Sequence, residues 1–197
     1  LKKLPKFWNT GWPYLIGGLV ILIISQFGKT KEEKLLQKLN NMPDGGTMDT
    51  KLYTWLTKEE GLKFNHYKDG KGSSIGIGHQ IQKGEEYLFN GPISIAKVME
   101  LYNSDVNKAK KDINRDVKIN LTEAMMIALI SFRFNIGPTQ WDLSTIRKLL
   151  KDGNVTAAAL EFPKWRLTTI DGKKVVSPTL VLRRAREQKL FTLGLGI

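Results

Sequence analysis

The sequence predicts an α+β fold, and three observations carry the prediction. Apolar residues recur at helical spacing from Ser94 onward, residues 62–82 read as turns and short strands, and a short helical segment ending at Glu60-Gly61 precedes them. Together these give a mostly helical lobe with a small β/loop lobe inserted after its first helix.

Composition bounds what the chain can do. Its 197 residues suit one compact domain plus an appendage, and 41% hydrophobic residues are enough to form a core. With no cysteine, a disulfide framework, thiolate chemistry and a cysteine–zinc site are all excluded. Two histidines, His66 and His79, are too few for a histidine-rich metal site, and no metal or other cofactor is expected. The net charge of +12 is spread along the chain, with 24 Lys/Arg against 15 Asp/Glu from Lys51 onward. Such a surface is drawn to nucleic acid, anionic membranes or an anionic wall polymer. The basic residues lack aromatic interleaving or a recognised motif, so no specific nucleic-acid partner is expected. Nothing in the sequence sets an oligomeric state.

Residues 7–28 carry no charge, and Leu15–Ile24 is almost wholly aliphatic. As a helix these residues would reach about 33 Å, one hydrocarbon thickness. Trp8, Trp12 and Tyr14 cluster at one end, where an interfacial aromatic belt would sit. A single N-terminal transmembrane helix is therefore expected within residues 1–28. Residues 29–48 form a connection: Lys31–Asn40 has the pattern of a short amphipathic helix, and Asn41-Met-Pro-Asp-Gly-Gly-Thr47 is a linker by composition. The globular domain is assigned to residues 49–197.

Within that domain Leu52, Tyr53 and Leu56 have helical spacing, and Gly61 is placed to stop the helix just after Glu60. Ser74–Ile77 is strand-like. Ile95, Val98, Leu101, Tyr102, Val106, Ala109 and Ile113 mark one long helix, and Leu121–Phe134 marks an apolar one with Thr122 at its N-cap. Helices are expected at 144–151 and 155–162. Thr168–Val176 carries the Asp-Gly signature of a hairpin, and Ser177-Pro178 opens a last helix through Phe191.

The stretch from Glu60 to His79 carries the candidate chemistry. Glu60 and Asp69 lie nine positions apart on different elements, and a hydroxyl follows at Ser74. Two carboxylates on different elements can be held at different pKa values, as acid/base cleavage of a glycosidic bond requires. Taken singly, Glu60 reads as a solvated helix-end carboxylate and Asp69 as a turn former. Glu59 reads as solvated, His79 as a buried hydrogen-bonding residue, and Gly76-Ile-Gly78 as a site of close backbone packing.

Downstream motifs change the weight of that stretch. Glu60-Gly61, Tyr67-Lys68-Asp69 and Ile75-Gly76-Ile77-Gly78-His79 resemble the active-site segment of phage-type lysozymes, glycoside hydrolase family 24. The likeness continues in order through Leu121-Thr122, Phe134-Asn135-Ile136-Gly137-Pro138 and Ala158-Ala159-Leu160-Glu161-Phe162 with Trp165. It closes with Arg183-Arg184-Ala185, Glu187, Leu190 and Phe191, and covers about residues 50–193. There is one departure: the loop between Asp69 and Ile75 is one residue shorter than the family pattern, and Ser74 stands at the family threonine.

The resemblance implies a lysozyme-like fold and a peptidoglycan hydrolase cleaving between N-acetylmuramic acid and N-acetylglucosamine. Glu60 would be the general acid, Asp69 would stay ionised to stabilise positive charge at the sugar, and Ser74 would help to hold a water. Phe134, Asn135 and Thr145 correspond to cleft-lining positions, with core packing or capping as the competing reading. Arg183 and Arg184 read as structural or wall-attracting. A carboxylate separation of about 6.5–9.5 Å would make the reaction inverting. The implied partners are bacterial peptidoglycan and, through the N-terminal helix, a membrane, with the catalytic domain facing the wall. An endolysin used in host lysis and a membrane-associated virion enzyme both fit. The alternative is a lysozyme-fold protein that binds wall glycan, or serves structurally in a virion, without cleaving.

Overall fold

The computed structural model describes residues 47–69 and 72–196. The expected membrane anchor, the amphipathic segment and residues 41–46 of the linker lie outside the described residues. Among the described residues, no helix is long and apolar enough to cross a membrane.

Hydroxyl side chains set where the helices begin. Helix α1 (Met48–Glu60) starts at Thr47, α2 (Ile95–Asp116) at Ser94 and α3 (Glu123–Ile136) at Thr122. The short α4 (Pro138–Leu143) follows Gly137, while α5 (Thr145–Lys151) starts at Ser144 and α7 (Pro178–Leu195) at Ser177. Each of the five hydroxyls accepts the N–H of the residue three positions on, at 3.1–3.5 Å, satisfying a donor the helix itself leaves unpaired. A five-residue α6 (Val155–Ala159) and a 3₁₀ turn (Phe162–Lys164) replace the single helix expected at 155–162. Pro163 cannot supply an N–H to continue α6.

The small lobe is an antiparallel sheet in the order β1 (Lys63–Asp69), β2 (Gly72–Gly76), β3 (His79–Gln80). Tyr67 pairs with Ser74 and Asp69 with Gly72, with a register irregularity between Lys63 and Tyr67. Central β2 buries Ile75, which packs with Leu88 of a 3₁₀ turn (Glu86–Phe89) and Leu101 of α2. The amphipathic face of α2 thus covers this sheet with its first turns, while its last turns reach α3 and α5.

The larger lobe is built around α3, which is apolar on nearly every side and buries Met125 and the run Ile127–Arg133. Its most extensive partner is α7. Phe132 meets Phe162 and Trp165 edge-on at 5.3 Å, and Phe162 meets Phe191 of α7 at 5.5 Å. The crossing of α7 over the start of α3 is close: a side chain at Gly194 would collide with Thr122 and Met125. The expected hairpin is present as β4 (Leu167–Ile170) and β5 (Lys173–Val176), turned by Asp171 and Gly172 at φ +49° and +75°. Two positive φ values in succession give the primed turn that Asp-Gly favours.

Candidate active site

Glu60 is the last residue of α1. Gly61, at φ +75°, sends its N–H back to the Thr57 carbonyl at 2.9 Å and ends the helix, so the chain leaves directly into β1. The Glu60 side chain is only 17% exposed, and its Oε1 lies 2.7 Å from Nη1 of Arg183 on α7. The turn between β2 and β3 presses on it from the other lobe. A Cβ at Gly78 would stand 3.1 Å from Glu60 Cγ and Oε2, and Gly78 sits at φ +69°. The packing of Gly76 and Gly78 is therefore backbone approach, as the sequence suggests, with Gly78 placed against the candidate acid.

Behind Glu60 lies a buried ionic cluster. Arg183 Nε donates to Glu187 Oε1 at 3.0 Å, and its Nη2 donates to the Ser131 carbonyl at 3.1 Å. Ser131 Oγ donates to the same Glu187 oxygen at 2.7 Å. Glu187 Oε2 is 3.1 Å from Arg184 Nη1, and Arg184 Nη2 donates to Asn135 Oδ1 at 2.6 Å. The Arg184 guanidinium also stacks over Phe132, 5.0 Å from the ring centroid. Burial works against the Arg183 charge, but Glu60 and Glu187 more than offset it and hold its pKa above the usual arginine value. Arg184 is pushed down to about 10 by burial, which outweighs the pull of Glu187 beside it. Burial raises the Glu187 carboxyl, against the pull of the two guanidiniums.

Two sequence expectations need correcting. Arg183 and Arg184 are not available to attract the wall, since both are buried, and Arg183 contacts the candidate acid itself. Glu59 is not the solvated neighbour of Glu60: Arg186 grips both its oxygens at 2.7 Å, and its side chain is 5% exposed. One step around a helix turns a side chain by about 100°, and here α7 lies close enough to supply both Glu59 and Glu60 with an arginine.

Asp69 closes β1 opposite Gly72, and Ser74 lies two residues further along β2, opposite Tyr67 and Gln80. Ser74 is buried at 2% exposure. Phe134 and Asn135 are half-buried in the last turn of α3, and Asn135 joins the ionic cluster through Arg184. Thr145 is exposed at the first position of α5, and the chain of contacts from Glu60 to Asn135 does not reach it.

His79 is buried and hydrogen-bonded, as expected, and its partners are both acids. Nδ1 donates to Asp105 Oδ2 at 2.6 Å and Nε2 to Glu85 Oε2 at 2.9 Å. Burial disfavours the imidazolium, but these two carboxylates raise its pKa above the ordinary histidine value. The pair ties β3 to α2 and to the loop before the 3₁₀ turn, and so fixes the strand that ends the Gly78 turn.

Sequence reasoning passed over Arg183 and Glu187 as members of the site. The available signal was their spacing: Arg183 and Glu187 stand four apart and Arg184 and Glu187 three apart, which puts all three on one helix face. In a helix that also carries Phe191 into the core, that face is the buried one.

Several known proteins resemble this chain. The chain is 33% identical over 138 residues to the endolysin of Bacillus phage PZA, an alignment covering 68% of the chain and 51% of that protein. The chain thus spans about half the length of that relative. It is 33% identical over 141 residues to the endolysin of Salmonella phage P22, covering 70% of the chain and 92% of the relative. A SAR-endolysin of Enterobacteria phage P21 is 26% identical over 136 residues, covering 68% of the chain and 78% of the relative. Among solved structures, the muramidase domain of SpmX from Asticaccaulis excentricus superposes with a TM-score of 0.63 at 27% identity, over 74% of this chain and 97% of that one. The phage lysozyme family model matches residues 57–187, a span that opens three residues before Glu60 and closes on Glu187. On that match, the chain belongs to the phage lysozyme family.

Proposed function

We propose that this chain is a peptidoglycan hydrolase that cleaves the glycosidic bond between N-acetylmuramic acid and N-acetylglucosamine by general acid/base catalysis. The observation that carries this reading is the setting of Glu60: a largely buried carboxylate, fixed by Arg183 at 2.7 Å, at the junction of the helical lobe with the β1–β2 hairpin. Glu60 gives its proton to the leaving glycosidic oxygen. Asp69 stays ionised beside the positive charge that develops on the sugar, and Ser74 helps to hold the attacking water. Phe134, Asn135 and Thr145 line the path of the glycan. The expected outcome at the anomeric carbon is inversion.

The activity is tested by the loss of turbidity of purified walls, with the new reducing ends identified as muramic acid. Glu60→Gln should cut the rate by a factor on the order of 10³ or more while the thermal transition holds. Asp69→Asn should also be severe, and Ser74→Ala intermediate. If wild type and Glu60→Gln are equally inert while both bind walls, the non-catalytic wall-binding or structural reading takes its place.

The uncharged run at residues 7–28 supports a further part of the proposal, that a membrane helix tethers the domain so that it faces the wall. The likeness to a SAR-endolysin favours the endolysin setting. The strongly aliphatic Ile21–Ile24 keeps the membrane-associated virion enzyme as the second setting.

A further inference from the structure

Glu60 has a problem that its own ion pair creates. A general acid has to be free to meet the substrate, yet a guanidinium 2.7 Å away holds its Oε1. Other charged groups face the pair from the surrounding elements. From α7, Arg183 makes the contact, Glu187 and Arg184 stand behind it, and Arg186 is occupied by Glu59 of α1. From α3 come Ser131 and Asn135, neither of which titrates. The turn at Gly76-Ile77-Gly78 presents no ionisable side chain, and β1, ending at Asp69, is the strand that leaves Glu60. Within this set, Glu187 alone is a carboxylate that divides the Arg183 charge with Glu60. It is fully buried, and its two oxygens take Arg183 and Ser131 on one side and Arg184 on the other.

We propose that Glu187 is a positioning residue for the glycosidase site: its buried carboxylate shares the Arg183 charge with Glu60 and holds Arg184 on Asn135. One group thereby sets both how firmly Arg183 grips Glu60 and where the amide at the end of α3 stands. Glu187 does not touch the glycan and acts through the two arginines. The inference rests on the glycosidase reading above.

The test is the pH dependence of wall lysis by the full chain. In Glu187→Gln the whole Arg183 charge falls on Glu60, so the acid loses its proton at lower pH. The alkaline limb should move down by about one pH unit, on the scale by which a neighbouring charge shifts a carboxyl. Glu187→Asp keeps the charge and should leave the limb within about half a unit of wild type. A purely structural role would lower the thermal transition and the rate without moving the limb. Because Glu187→Gln leaves the buried cluster one positive charge in excess, the charge-balanced pair R183M/E187Q is the companion. With Arg183 gone its limb should lie about one unit above wild type. An unshifted limb in Glu187→Gln, or a limb at or below wild type in the double variant, overturns the proposal. Neither result touches the glycosidase reading, which stands or falls on wild-type lysis and its loss in Glu60→Gln.

Discussion

Gly78 is where one added methyl group would press directly on the candidate acid. The atom an alanine adds would lie 3.1 Å from Glu60 Cγ and Oε2, at a backbone φ of +69° that side chains rarely adopt. A free glutamate would swing aside, but this one is held by Arg183. Gly78→Ala should therefore reduce wall lysis at least about tenfold while costing about 1 kcal/mol of stability, read by turbidity and by urea unfolding. His79 supplies a second expectation, in stability rather than rate. Its raised pKa contributes stability that is fully present below 6.5, the unfolded histidine value, and is lost as pH rises through the higher folded value. The lowered pKa values of Glu85 and Asp105 contribute stability present above 4.5 and 3.8, which is lost as pH falls through their folded values. The three-residue tie is thus strongest at about pH 5–6. His79→Gln should cost more stability at pH 5.5 than at pH 9 when urea unfolding is compared at the two pH values. Both residues were legible in the sequence as packing and hydrogen-bonding positions. What each packs against was not, because Glu60 is 18 positions from Gly78 and Asp105 is 26 from His79.

Among the elements, those with a period and a cap were read closely. Helices α2, α3 and α7 begin at the hydroxyls the sequence marks, the Asp-Gly hairpin turns where expected, and α1 begins at Thr47, which the sequence reads as the end of the linker. Helix α7 runs four residues beyond the expected end at Phe191, where Gly194 packs over the start of α3 and its carbonyl accepts from the Thr122 hydroxyl at 3.2 Å. Helix α4 was not anticipated: six residues are too few to show a period, although Pro138 at its first position is a start signal. Its stability is tertiary. Trp141 is fully buried, and its indole N–H donates at 3.0 Å to Asp116 at the end of α2. Asp116 is buried, which opposes its charge, but Arg115, Arg147 and Trp141 together hold its carboxyl well below the usual carboxylate range. Trp141→Phe keeps the ring in the core but removes that donor. It should cost about 2 kcal/mol in urea unfolding, the size of a hydrogen bond to a charged acceptor, with little change in wall lysis.

On the scale of the whole molecule, periodicity and turn chemistry gave the α+β class and motif order the lysozyme-like fold, while the arginine that contacts Glu60 came only with the folded chain. If the linker reading holds, removing residues 1–40 should yield a soluble protein that lyses walls at close to the rate of the full chain in detergent. Unfolding of that fragment, seen by circular dichroism, would refute the boundary. The distance between the two ends of the site has its own consequence. Arg186 grips Glu59 across 127 positions of sequence, and Arg183 reaches Glu60 from the same helix. Both carboxylates emerge early from the ribosome, and for the rest of synthesis they wait, without their arginines, for α7. On the glycosidase reading, a nascent chain halted anywhere before α7 carries Glu60 without its counter-ion, and lysis waits for the last helix to dock on α3.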